Sequence, residues 1–213
     1  MKLLVIGATG GTGQEIVKQA LRAGHSITVL IRDVAAKGRF DPAVRIAVGN
    51  VLDAASLQKA LAGQEAVISS LGSGATGPFK EMTMFSEGTR NVIREMQTLS
   101  VERFICITGI GAGESKGHGP WWYDWVVQPL ILRGVYDDKT RQEKLVRESR
   151  LNWTLVRPGI LTNGPAKGRE AVRVLTDLHG VRTRFISRAD VASFCLSELM
   201  QGEYRQQAPV ITY

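Results

Sequence analysis

The residues best suited to chemistry lie at the start of the chain. Gly7, Gly10 and Gly13 are spaced G-x-x-G-x-x-G within the run Gly7-Ala8-Thr9-Gly10-Gly11-Thr12-Gly13. Each glycine of such a turn has its own physical task. One turns the chain tightly, one lets backbone approach a pyrophosphate, and one lets a helix pack close to a strand. Backbone N–H groups at the following helix start then face the anion, aided by the helix dipole. A glycine triplet alone is a weak signal. Here the apolar run Leu3–Ile6 precedes it, and Ile16, Val17, Ala20 and Leu21 recur after it at helical spacing. Gly24 marks the helix end, and a second apolar run, Ile27–Ile31, follows. Strand, turn, helix and strand in this order predict a dinucleotide held at the turn.

The next residues bear on which dinucleotide. Arg32 follows the second strand, 19 residues after Gly13. An acidic side chain there would hold the ribose hydroxyls of NAD, whereas a cation pairs with the 2′-phosphate of NADP. The planar fork of a guanidinium suits phosphate. Arg32 therefore favours NADP(H) over NAD(H), while the adjacent Asp33 keeps the alternative open. Lys37 and Arg39 are further cations on the same loop. Beyond the third strand, Asn50 and Val51 are placed to edge an adenine, Asn50 offering an amide to ring nitrogens. A plain turn, with Asp53 or Ser56 capping the next helix, is the alternative there.

The elements that must position these residues alternate. Strands are predicted at Leu3–Ile6, Ile27–Ile31, Val44–Val48, Ala66–Ser69, Arg103–Ile107 and Trp153–Val156, with a last one at Pro209–Thr212. Helices are predicted at Gly11–Ala23, Ser56–Leu61, Met84–Leu99, Asp137–Ser149 and Arg188–Met200. This pattern specifies a single α/β domain over residues 1–213, a doubly wound parallel sheet of Rossmann type with helices on both faces. A short C-terminal extension lies on the substrate side. Gly111 to Val135 is the one irregular stretch, read as a lid or insertion, with an extra packed helix as the alternative. It carries Trp121, Trp122 and Trp125.

Bulk properties narrow the function class. Hydrophobic residues make up 44% and charged residues 22% of the 213, ordinary for a globular protein. No apolar run approaches the ~20 residues of a membrane span. The N-terminus runs directly into a strand without an export signal, and Cys106 and Cys195 are isolated in apolar surroundings, so a cytoplasmic protein is expected. No Cys/His spacing suggests a metal. The net charge of +7 is scattered; its densest stretch, Lys167 to Arg188, holds six Lys/Arg against two acids. Without an aromatic–basic motif, this argues for attraction of anionic small molecules rather than nucleic acid.

Further segments carry a resemblance: Val29-Leu30-Ile31-Arg32-Asp33, Gly49-Asn50-Val51-Leu52, Ser86-Glu87-Gly88-Thr89-Arg90-Asn91, Val146-Arg147-Glu148-Ser149 and Trp153-Thr154-Leu155-Val156-Arg157-Pro158-Gly159. With the glycine turn, they resemble the atypical short-chain dehydrogenase/reductase superfamily over nearly the whole chain. The similarity is to its small NAD(P)-binding members, the NmrA-like and the biliverdin and flavin reductase-like proteins. The resemblance implies that Gly7, Thr9, Gly10, Gly11, Thr12 and Gly13 line the pyrophosphate and that Arg32 holds the 2′-phosphate. It implies that Leu71, Gly72 and Ser73 run beside the nicotinamide ribose. Thr108 would approach the nicotinamide, with Pro158, Gly159 and Ile160 pressing on the ring.

The departures matter as much. Many reductases of this superfamily use Tyr-x-x-x-Lys, the lysine tuning the phenol for proton transfer. This chain has Tyr136-Asp137-Asp138-Lys139, one residue too short, with Val135 where the tyrosine belongs. Lys139 and Thr108 are the candidate catalytic residues. Lys139 is read either as a ribose or substrate contact or as one of several solvated charges beside Arg141, Glu143 and Lys144.

Three functions follow. The first is an NADPH-dependent reductase of a small conjugated acceptor, flavin- or quinone-like, stacked on the tryptophan cluster. The second is a non-catalytic NAD(P) sensor of NmrA-like type with a protein partner. The third, less favoured, is a sugar-nucleotide epimerase or dehydratase. If Arg32 selects the cofactor, NADPH raises the melting temperature more than NADH at equal concentration, because ligand specific to the native state stabilises it by mass action. Equal shifts, or a larger one with NADH, would reject that selection.

Overall fold

A computed structural model of the chain describes residues 1–72 and 82–213. The first half runs β1 (Lys2–Ile6), α1 (Gly11–Arg22), β2 (Ser26–Ile31), β3 (Arg45–Val48), α2 (Ala54–Leu61), β4 (Ala66–Ser69), α3 (Met84–Thr98) and β5 (Arg103–Ile107). The second runs α4 (Gln128–Leu130), α5 (Arg133–Glu148), β6 (Asn152–Pro158), β7 (Ile160–Thr162), β8 (Arg173–Leu175), β9 (Phe185–Ser187), α6 (Arg188–Gln201) and β10 (Val210–Thr212).

Eight of the described strands form one sheet in the order β3-β2-β1-β4-β5-β6-β10-β8. Neighbours are parallel except β10 and β8. β7 and β9 form a separate parallel pair. The first six strands follow the dinucleotide-binding order of a doubly wound sheet. Winding reverses between β1 and β4, and ligands of such sheets sit in the crevice beyond the carboxyl ends of the strands at that point.

Strand side chains alternate between two cores. Leu3 and Val5 of β1 pack with α1 and α6, through Ile16, Val17, Ala20, Val191 and Cys195. Leu4 and Ile6 pack on the other face with α2, α3 and α5, through Leu57, Leu61, Val92, Met96 and Val146. Both faces of the sheet are covered, so its central strands read as continuous apolar runs. Cys106 and Cys195 are free and buried in these cores.

Two expectations need correction. Gly111 to Val135 is not irregular throughout. It holds the 3-10 turn Gly113–Ser115, the π-helical turn Tyr123–Val127, α4 and the first residues of α5. Helix α5 starts a turn before Asp137 because packing overrides the poor propensity of Gly134 and Val135. The pair β7 and β9 and the strand β8 also escape sequence reading: three residues each is too short for a period-two signal.

A buried ion pair ties β5 and β6 to α6. Arg103 of β5 donates to Glu198 of α6 at 2.8 Å and to Thr154 of β6 at 2.9 Å. Thr154 also donates to Glu198, and the Tyr204 N–H adds a contact at 3.2 Å. Removing one partner strands the other charge. Glu198→Ala is therefore expected to lower unfolding stability by about 3–5 kcal/mol, read by urea denaturation. A loss below about 1 kcal/mol, the worth of an exposed pair, would contradict the burial argument.

Candidate functional site

A cavity of about 690 Å³ opens at the switch point, a volume suited to a cofactor. The glycine turn forms its floor. Gly7 has φ of +78°, and a Cβ there would lie 2.4 Å from the Ser70 carbonyl oxygen at the end of β4. A Cβ on Gly13 would lie 2.3 Å from the Gly7 oxygen, so α1 can approach β1 only without that atom. Gly10 is the N-cap of α1 and gives no side-chain cap; the first helical turn has no acidic residue. The first N–H groups of a helix need partners. Gly7, Thr9, Gly10, Gly11 and Thr12 all line the cavity around this uncapped start. These residues fit a dinucleotide pyrophosphate, with Gly13 supporting the turn from beneath.

The adenosine side is built by β2 and β3. Arg32 lines the cavity. Asp33 turns to other work: its carboxylate accepts from the Ala35 N–H at 2.8 Å and caps the 3-10 helix Val34–Arg39. Lys37 and Arg39 lie in that helix and do not line the cavity. Asn50 and Val51 line it. Asn50 is held by two bonds with Ser56, and its Oδ1 accepts from Leu52 N, leaving the amide Nδ2 for a ligand. Asp53 caps α2. Val51 is held from behind: Asn91 of α3 donates to its carbonyl, and Gly88 leaves the space its methyl fills.

The far side is formed by the end of β5 and by α5. Thr108 and Lys139 both line the cavity. Lys139 is not a solvated charge. It is buried, its Nζ donates to the Thr108 carbonyl at 2.9 Å, and it lies 4.6 Å from the centre of the Phe85 ring. Burial lowers its pKa, against the nearby acids that raise it. Glu143 is buried as well. Thr108 donates its hydroxyl to Glu143 at 2.6 Å, and Arg157 of β6 pairs with Glu143 through both Nε and Nη2. Arg157 reaches on to Glu114, which Arg147 also holds. Burial alone would raise the pKa of Glu114, but the hydrogen bond and charge of Arg157, with help from Arg147, bring it to about 2. Asp138, fully buried on the same helix, accepts from the Phe85 N–H and Ser86 hydroxyl and so caps α3 from outside.

Tyr136 is the residue that sequence spacing set aside. It lines the cavity beside Lys139, and its hydroxyl is 2.6 Å from that of Tyr123. Gly111 leaves space beside its ring, since a Cβ there would lie 3.3 Å from the ring's Cε1. Burial, then the neighbouring Tyr123, raises its pKa well above the ordinary phenol value. The signal that could have found it is the i, i+3 spacing with Lys139, which puts both on one helix face.

Other expected residues fall elsewhere. Leu71 and Gly72 line the cavity, whereas Ser73 lies outside the described residues. Pro158, Gly159 and Ile160 do not line it; Leu161 of β7 does. The bare Cα of Gly159 serves β9 instead, since a Cβ would lie 2.3 Å from the Arg184 oxygen. Trp121 and Trp125 are 67% and 77% exposed, and neither they nor Trp122 are among the lining residues. Ser70, Met84, Leu132 and Arg188 line it unannounced by the motif. No cluster of metal-ligating side chains occurs among the described residues, and none of their helices is long and apolar enough to cross a membrane.

Comparison with known proteins agrees with this geometry. A family model described as NAD(P)H-binding matches residues 7–201. The chain is 30% identical over 212 residues to the uncharacterized sugar epimerase YhfK of Bacillus subtilis, covering 98% of this chain and 92% of that one. It is 26% identical over 216 residues to the NAD(P)H azoreductase of Xenophilus azovorans, covering 99% and 67%. Among solved structures, the anaerobilin reductase ChuY of Escherichia coli superimposes with a TM-score of 0.83 at 22% identity, over 100% of this chain and 97% of that one. With the strand order, the glycine turn and the cleft pointing the same way, the chain belongs to the NAD(P)H-binding family of atypical short-chain dehydrogenase/reductase proteins.

Proposed function

We propose that this protein is an NADPH-dependent reductase of a small, flat, conjugated acceptor such as a flavin or quinone. One observation carries the reading: Arg32, the uncapped start of α1, and the group Thr108, Lys139 and Tyr136 all line one cavity. Arg32 supplies the fork for the 2′-phosphate, and Asp33 is engaged in its own cap. NADPH bound there supplies a hydride; the chain supplies position and a dry wall. Two relatives named above are reductases, the azoreductase and the anaerobilin reductase, which supports reduction as the chemistry.

The chain's own part is proton handling and orientation. Tyr136 stays a neutral phenol because burial disfavours its anion. Its hydroxyl is the proton donor to the reduced acceptor, and Tyr123, 2.6 Å behind it, returns the proton. Lys139 fixes the Thr108 carbonyl beside it and offers positive charge to ribose or substrate. The segment 111–135 is the lid of this single-domain protein, bringing the exposed Trp121–Trp125 cluster over the acceptor as it closes. The free, buried Cys106 and Cys195 suit a reducing compartment such as the cytoplasm.

A second reading has its own support. Trp121, Trp125, Val126, Leu130 and Ile131 are exposed together on a short stretch, a surface a protein partner of a non-catalytic sensor would use. The epimerase reading, which a relative's name raises, is weakened by Val135 at the tyrosine position. Purified protein is expected to oxidise NADPH with a flavin or quinone, and Tyr136→Phe to lower kcat by about 10²-fold while leaving NADPH affinity unchanged. A full acceptor panel without turnover, joined to an NADPH-dependent change of oligomeric state, would favour the sensor instead.

A further inference from the structure

The basic stretch Lys167 to Arg188 carries six Lys/Arg. Most of its charges are spent locally or face solvent. Lys167 lies 4.1 Å over the ring of Tyr213, Arg169 pairs with Glu203 at 3.5 Å, and Arg182 donates to the Gly119 carbonyl. Arg173 and Arg184 are exposed. Arg188 alone among them lines the dinucleotide cavity.

Its position is built from three sides. Arg188 is the first residue of α6, directly after the N-cap Ser187, whose hydroxyl accepts from the Asp190 N–H. Its side chain crosses the start of α1: a Cβ on Gly11 would lie 2.8 Å from its Cδ and 3.0 Å from its Nε. Gly11 is thus a glycine so that this arginine can pass. The guanidinium donates to the neutral carboxamide of Asn163 at 2.6 Å. The nearby acid, Asp190, is already saturated. It accepts from Lys167 N, Gly168 N, the Ser187 hydroxyl and the Tyr213 hydroxyl.

A cation beside a helix N-terminus is unfavourable, because both carry positive charge. Here the helix start is also uncapped and free of acidic side chains. Both halves of this arrangement call for an anion between them. We propose that Arg188 is the second phosphate-binding cation of the cleft, specific for the pyrophosphate and supplied by the C-terminal part of the chain. The proposal rests on the dinucleotide reading and deepens it. Arg32 then selects the 2′-phosphate, and Arg188 binds NADPH and NADH alike.

Calorimetric titration with two fragments separates these roles: ADP carries the pyrophosphate without a 2′-phosphate, and 2′-AMP the reverse. Arg188→Gln is expected to weaken ADP by about tenfold and to leave 2′-AMP within about twofold, while Arg188→Lys retains most of the ADP affinity. Arg32→Gln should show the opposite pattern. An unchanged ligand-free melting temperature in Arg188→Gln assigns the loss to binding rather than folding. ADP affinity within about twofold of wild type in Arg188→Gln, or an equal loss of both fragments, overturns the proposal while the cleft reading stands. A wild-type chain that binds neither fragment overturns both.

Discussion

The site depends on two missing Cβ atoms. At Gly7 and Gly13 a side-chain carbon would come within 2.4 Å and 2.3 Å of backbone carbonyl oxygens, closer than any real contact. The collision at Gly7 is with the end of β4, so a larger residue would force β1 and β4 apart where the sheet reverses its winding. The collision at Gly13 is with Gly7 itself, so a larger residue would lift α1 off β1. The cleft, the exposed helix start and the facing residues of β5 and α5 follow from that close approach.

Around this neutral turn the fold arranges charge in two manners. The cofactor side holds cations with few partners, Arg32 and Arg188, at the rim of the cavity. The opposite side holds a chain of polar groups that runs from the buried Thr108, Glu143 and Arg157 out to the exposed Glu114 and Arg147. Desolvation makes such buried pairs poor sources of net stability, but breaking one is costly. Their effect is to hold β5, β6 and α5 at one spacing. Thr108, Lys139 and Tyr136 inherit that rigidity.

Much of the frame was legible because its signals are local. The runs Leu3–Ile6 and Ile27–Ile31, the turn between them and the cap at Asp53 each reflect short-range sterics or hydrogen bonding. Arg32 was readable by its distance from the turn. Tyr136 was not, because a family spacing counts positions along the chain whereas a cavity counts side chains on a helix face. Lys139 shows the same limit from the other direction. Its neighbours Arg141, Glu143 and Lys144 suggested a solvated helix, yet α5 packs Lys139 and Glu143 against β5 and β6. Arg188 stands 175 residues beyond Gly13, so no motif spans the contact that brings it to the glycine turn.

By itself the sequence determined the alternation of strands and helices, the dinucleotide turn and the cation after the second strand. Each of these depends on backbone geometry within a few residues. Tertiary structure alone decided that Asp33 turns to its cap, that Pro158, Gly159 and Ile160 stay off the cavity, and that Tyr136 and Arg188 reach it. Those outcomes depend on which distant side chains meet once both faces of the sheet are covered, and chain spacing carries no record of that meeting.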